Sequence, residues 1–265
     1  MTPTTGYAPI NGLNMYYEIH GSGRPLVLLH GGFMTIEGMG ALVPAFAETR
    51  QVIGIEQQGH GHTADIDRPL TYEQMADDTA ALLRHLDIEQ ADIYGYSMGG
   101  GTALQLAIRH PELVRKLVIV SASFRADGMY PEARAAIAAI TPELFAGSPM
   151  EESYQRTSPN PDVFPALVEK LKRLDVEDYA WSPEIIKAIN APALIILGDA
   201  DGVSPEHVVE MFRLFGGGVM GDLAGMPASQ LAILPGTNHI GILERSDWIV
   251  AMTVPFLDAP LPEAP

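Results

Sequence analysis

The chain has 265 residues, enough for one large domain with an insertion and a substantial buried core. Its 16 Lys and Arg against 33 Asp and Glu leave a net charge of −17, which opposes binding to nucleic acid or an anionic membrane. With no cysteine, disulfides, a thiolate nucleophile and thiolate metal sites are excluded.

The opening stretch, Met1 to Tyr7, has neither the basic region nor the apolar core of a secretory signal. The longest apolar runs, such as Ala191 to Leu197, are too short to span a bilayer, so the expected compartment is the cytoplasm. Ile10 to Glu18 reads as a hairpin turning at Asn11-Gly12. Leu26-Val27-Leu28-Leu29 is a buried strand that empties into His30-Gly31-Gly32-Phe33, and Val52 to Ile55 is another core strand. From Thr71 to Leu86 the spacing is helical: Thr71 caps, Gln74 holds the capping-box position, and Met75, Thr79, Leu82, Leu83 and Leu86 face inward.

Ala91-Asp92-Ile93-Tyr94 then leads directly into Gly95-Tyr96-Ser97-Met98-Gly99 and a run of small, helix-forming residues. A strand that ends in G-x-S-x-G and turns at once into a helix forces Ser97 into a strained conformation, and side chains at 95 and 99 would collide with neighbouring backbone. The Ser97 hydroxyl is lifted clear of the sheet. The Met98 amide is left at a helix start, where partial positive charge can receive an oxyanion. Leu117 to Val120 is the next strand. After it the strand–helix alternation stops, and from about Phe124 to Ala188 the chain is Pro-punctuated and helical over Glu132–Ile140, Val163–Val176 and Pro183–Ile189. Alternation resumes with Leu194 to Leu197, which runs into Gly198-Asp199-Ala200-Asp201-Gly202-Val203. A Gly-rich segment, Gly216 to Pro227, precedes Leu231 to Leu234, and that strand leads to Pro235-Gly236-Thr237-Asn238-His239. A Pro-rich tail (Pro260, Pro262, Pro265) is expected to fray.

These segments resemble the α/β-hydrolase superfamily from about Gly12 to Leu257, in the chain order nucleophile, acid, histidine. The resemblance implies a mostly parallel eight-stranded sheet with helices on both faces. The core would comprise 1–123 and 190–265, with a helical cap at 124–189. It also makes Ser97 the nucleophile, His239 the general base and Asp201 the orienting acid, with Asp199 as a rival. The Met98 and Gly32 amides would form the oxyanion hole, Phe33 being a substitute for the latter. His30 would hold its loop. Departures from the family pattern are Glu56 and Gln58, where relatives usually carry Asp and Arg; a neutral hydrogen-bonded arrangement is expected there. His60 and His62 near Glu56 and Asp65 invite a metal reading, but a structural loop accounts for them better.

Large apolar residues of the cap and the triad loops are expected to line a predominantly apolar, Met-rich pocket. The candidates are Phe33, Met34, Phe124, Met129, Tyr130, Tyr179, Trp181, Val203 and Ile240. No Arg or Lys lies within a residue or two of any triad member, which disfavours a highly anionic substrate. The expected function is a serine hydrolase that cleaves a small hydrophobic ester, lactone or macrocyclic ester through an acyl-enzyme on Ser97, without cofactor or metal. Two alternatives are a carbon–carbon bond hydrolase of diketone type and a triad-retaining small-molecule receptor. A serine at 97, where a carboxylate would be the nucleophile, argues against haloalkane dehalogenase and epoxide hydrolase chemistry.

Overall fold

A computed structural model describes residues 2–176 and 179–262; Met1 and the last proline of the tail, Pro265, lie outside them. Strand β1 (Thr4–Ile10) pairs antiparallel with β2 (Leu13–Gly21) across Asn11 and Gly12, whose φ values of 48° and 89° suit a two-residue hairpin turn. β3 (Arg24–Leu29), α1 (Leu42–Ala47), β4 (Arg50–Ile55) and α2 (Tyr72–His85) follow. The Thr71 hydroxyl accepts the Gln74 amide and starts α2. Gln74 does not close the capping box, because its side chain turns along the helix to Asp78.

β5 (Ala91–Tyr96) enters α3 (Met98–Arg109) with Ser97 alone between them, and β6 (Val114–Val120) ends the first half of the sheet. Next come α4 (Pro131–Ala138), α5 (Pro149–Thr157), α6 (Phe164–Val176) and α7 (Pro183–Lys187), with no strand among the described residues between 121 and 192. The sequence reading did not anticipate α5, although Ser148 caps it through the Glu151 amide and Pro149 opens it. β7 (Ala193–Ala200), α8 (Pro205–Leu214), the short α9 (Gly221–Ala224), β8 (Gln230–Asn238) and α10 (Ser246–Asp258) complete the described chain. α9 lies inside the Gly-rich segment 216–227.

Among the described residues, eight strands form one sheet in the order β1-β2-β4-β3-β5-β6-β7-β8, antiparallel at β1–β2 and β2–β4 and parallel elsewhere. Every residue of β5 is buried, as are most of β3 and β6, as expected of central parallel strands covered on both faces. One apolar layer joins α2, α3 and the helical insertion to the sheet, and a second packs α1 and α10 on the opposite face. No helix of the described residues is long and apolar enough to cross a membrane.

The insertion has a closed neck. The Ala126 amide donates to the Tyr179 carbonyl at 2.9 Å and the Trp181 amide to the Phe124 carbonyl at 3.1 Å, so its two ends pair antiparallel as they leave and rejoin the core. Beyond the neck, Met129 bridges Val203; the Tyr130 amide donates to Gly202 and the Ser204 amide to Gly128, both at 2.9 Å.

Candidate active site

The site sits beyond the carboxyl ends of the central parallel strands, where strand order reverses around β3 and β5. At the β5–α3 turn Ser97 has φ 54° and ψ −118°, a strained conformation for a residue with a side chain. A Cβ on Gly95 would meet the Gly99 carbonyl oxygen at 2.2 Å, and one on Gly99 would meet the Leu29 carbonyl oxygen at 2.2 Å. The turn therefore closes only with hydrogen at both positions.

His239, just past β8, places its Nε2 3.0 Å from the Ser97 Oγ and its Nδ1 2.9 Å from the Asp201 Oδ1. The Tyr96 hydroxyl holds the carbonyl of His239 at 2.9 Å. Burial alone would push the Asp201 carboxyl up; the hydrogen bond and charge of His239, the neighbouring Ser121 hydroxyl and the Val203 amide outweigh it and hold the group below the usual carboxylate range. Asp201 is thus an anion beside the imidazole. The rival Asp199 points away: its exposed carboxylate accepts the Thr237 amide at 3.0 Å and braces the end of β8.

The Met98 amide opens α3, a position without an intrahelical acceptor. On the facing loop the two candidate donors separate. The Phe33 amide donates to the His60 Nε2 at 3.2 Å, so it is occupied and does not substitute for Gly32. Phe33 itself has φ 61°, and His60 anchors that strained turn. His30 accepts the Gln57 amide on Nε2 and donates from Nδ1 to the Gly31 carbonyl. Burial pushes both imidazoles well below their ordinary range, His30 to about 4 and His60 to about 3. They are neutral struts for the Gly31–Phe33 loop.

The loop with departures from the family pattern is only partly neutral. Glu56 is buried and accepts the His62 amide and the His62 Nδ1. Gln58 donates to Asp65, but Lys170 also pairs with Asp65 and Arg68 with Asp78, so charge has moved to neighbouring positions and has not vanished. Among the described residues no group of three or more His, Asp or Glu side chains could hold a metal ion.

A cavity of about 400 Å³ opens over Ser97 and His239. Of the expected lining residues, Phe33, Met34, Met129, Tyr179, Val203 and Ile240 are on its wall. Phe124, Tyr130 and Trp181 are not, and those expectations are corrected. Phe124 is fully buried in the neck, stacked on His207 at 4.4 Å between centroids. Trp181, also in the neck, packs edge-on against Tyr72. Tyr130 is held by its backbone to Gly202, and its side chain is largely exposed.

The sequence reading missed the α4 face made by Ala133, Ala136 and Ile137, with Ile140 just past its end, along with Leu171, Ser123, Tyr72 and Gly101. The i, i+3, i+4, i+7 spacing of Ala133, Ala136, Ile137 and Ile140 was a readable signal. So was the third consecutive glycine: a Cβ on Gly101 would stand 2.5 Å from the Tyr72 ring, so the missing side chain gives that ring its place on the wall. No Lys or Arg is among the described lining residues.

A family model described as the alpha/beta hydrolase fold matches residues 24–149. The chain has the α/β-hydrolase fold. Over 98 residues it is 35% identical to a putative esterase/lipase of Haemophilus influenzae, a match that covers 37% of this chain and only 34% of that relative's length. Among solved structures it is similar to a meta-cleavage product hydrolase from Pseudomonas fluorescens, with TM-score 0.75, 22% identity and coverage of 96% of this chain and 97% of that one. The enol-lactonase from Burkholderia xenovorans gives TM-score 0.72 and 24% identity, covering 96% of this chain and 100% of that one. At such identities the two structures speak for the fold.

Proposed function

We propose that this chain is a serine hydrolase of uncharged, hydrophobic carboxylic esters, lactones included. The observation that carries the reading is the continuous relay from the Ser97 Oγ through His239 to the buried Asp201, at 3.0 and 2.9 Å, opening into an apolar cavity. His239 takes the Ser97 proton as the oxygen attacks the ester carbonyl, and Asp201 stabilises the resulting imidazolium. The Met98 and Gly32 amides receive the oxyanion. His239 returns the proton to the departing alkoxide; water then repeats the sequence on the acyl-enzyme and releases the acid. No cofactor or metal takes part in these steps. The insertion 124–189 acts as the cap, with α4 and Met129, Met150 and Tyr179 forming the roof.

Cleavage of the carbon–carbon bond of a vinylogous diketone is the second reading, favoured by the likeness to the meta-cleavage product hydrolase. Against it, for a diketone that carries an acid group, stands the lack of a Lys or Arg among the described wall residues. The test is a panel of p-nitrophenyl esters, lactones, macrocyclic esters and diketones with wild type and Ser97→Ala. Ester turnover that falls on the order of 10⁴-fold in the variant, with a fluorophosphonate labelling Ser97, is the expected outcome. Labelling at another residue, or most activity retained, refutes it. Tight ligand binding with negligible turnover would mark a receptor instead.

A further inference from the structure

The cavity contains more polar chemistry than ester cleavage requires. Of the hydroxyl-bearing residues on its wall, Ser97 belongs to the relay, Tyr96 braces His239, Ser121 lies beside Asp201, and Tyr72 packs its ring against Tyr179. Ser123 does none of these. It follows β6, is buried, and places its Oγ 2.7 Å from the Tyr179 hydroxyl across the junction of core and cap. A serine hydroxyl has one donor and two acceptor sites, so the bond to Tyr179 leaves Ser123 with hydrogen-bonding capacity inside a wall whose aliphatic side chains are mainly those of Met, Ala and Ile. The pair is held in place. The Tyr179 ring packs 5.2 Å from Tyr72, edge-on, and 5.4 Å from Trp181, and its carbonyl is fixed by the Ala126 amide.

We propose that Ser123 and Tyr179 form a second, hydrogen-bonding subsite, which holds an uncharged oxygen function, a hydroxyl or ketone, on the hydrophobic part of the substrate remote from the scissile carbonyl. This rests on the hydrolase reading above and narrows its substrate class from plain hydrophobic esters to oxygenated ones. The function is uncharged because no lining Lys or Arg is present, among the described residues, to pair with an anion. An oxygen at the right carbon gains a hydrogen bond from the remaining capacity of Ser123, which a methylene cannot make.

The test uses two matched series. In one, p-nitrophenyl alkanoates carry a single hydroxyl or ketone at successive carbons; in the other, the oxygen is walked along the alcohol of butyrate esters. The readout is the ratio of kcat/KM for each oxygenated ester to that of its plain parent. One regioisomer in one series is expected to exceed its parent by about tenfold in wild type, a neutral hydrogen bond's worth. In Ser123→Ala and Tyr179→Phe that ratio should fall to near one; the phenylalanine keeps the ring packing and guards against simple misfolding. Wild-type ratios near one throughout, or variants that lower oxygenated and plain esters alike, overturn the subsite and give the pair a purely structural role. In that event, loss of turnover in Ser97→Ala leaves the hydrolase reading intact. If turnover survives Ser97→Ala, that reading fails instead. The subsite is then judged by the affinity of the same variants for matched keto and plain alkanols, read by Trp181 fluorescence. Equal affinities in wild type would overturn it.

Discussion

Between Asp201 and Asp199 the structure places one residue of chain but opposite duties. Asp201 is buried against His239, whereas Asp199 is exposed and braces the Thr237 amide. Asp201→Asn should lower kcat by several orders of magnitude, since an amide holds the imidazole in the wrong tautomer; Asp199→Asn should lower it less than tenfold. Steady-state kinetics of the two variants on one good ester decides, and a reversed ranking moves the orienting role to Asp199. His60 permits a second comparison. Its Nε2 accepts the Phe33 amide, so His60→Gln, which keeps an acceptor nearby, should retain more activity than His60→Ala. The loss should appear in kcat, because in the proposed mechanism the loop donor acts on the oxyanion. A KM-only effect would assign His60 to substrate binding.

At the scale of elements, the strand–turn–helix signature at 95–99 and the two acid- and histidine-bearing loops were legible because each obeys local geometry. Gly95 and Gly99 have no alternative once the turn closes. The helical segment 124–189 was legible only as a break in alternation. Which of its aromatics face the cavity depends on the neck pairing of Phe124 and Ala126 with Tyr179 and Trp181, a contact between residues far apart in the chain that no local period encodes. Large side chains were therefore over-assigned to the wall, and the small residues Ala133, Ala136 and Gly101 overlooked, although a cavity needs small residues on its border. Gly101→Ala places a methyl against the Tyr72 ring and should disturb selectivity between short and bulky esters more than hydrolysis of the smallest one. Proportional losses across all esters would show that Gly101 serves stability alone.

For the whole molecule, stability below neutral pH is governed by histidines that fold uncharged. Burial lowers His30 to about 4, His60 to about 3 and His207 to about 4, the last also through the charge of Arg125. Their ordinary value is near 6.5, so between about 6.5 and 4 the unfolded chain binds protons that the fold refuses. The stabilisation is complete above about pH 6.5 and is lost as pH falls. Glu56 and Asp92, both raised by burial, act in the opposite sense in the carboxylate range, so the histidine slope is cleanest between about pH 6.5 and 5. Urea midpoints should drop steadily over that interval, and His207→Gln should flatten the drop. A midpoint constant from pH 7 to 5 contradicts the assignment.

The bonds that join Gly128 and Tyr130 to the 202–204 loop have a dynamic consequence. They fasten the roof to the segment that follows Asp201, so the roof cannot lift along this seam without loosening the loop that orients the histidine. Breathing motions that admit substrate must therefore pivot about the seam and spend their amplitude farther out, on α5, where Tyr154 alone is buried. Native-state amide hydrogen exchange should record this as a gradient: the Tyr130 and Ser204 amides slow, near the rate of the sheet, and those of α5 faster by orders of magnitude. Ligand in the cavity would slow the outer helix while leaving the seam, already closed, almost unaltered.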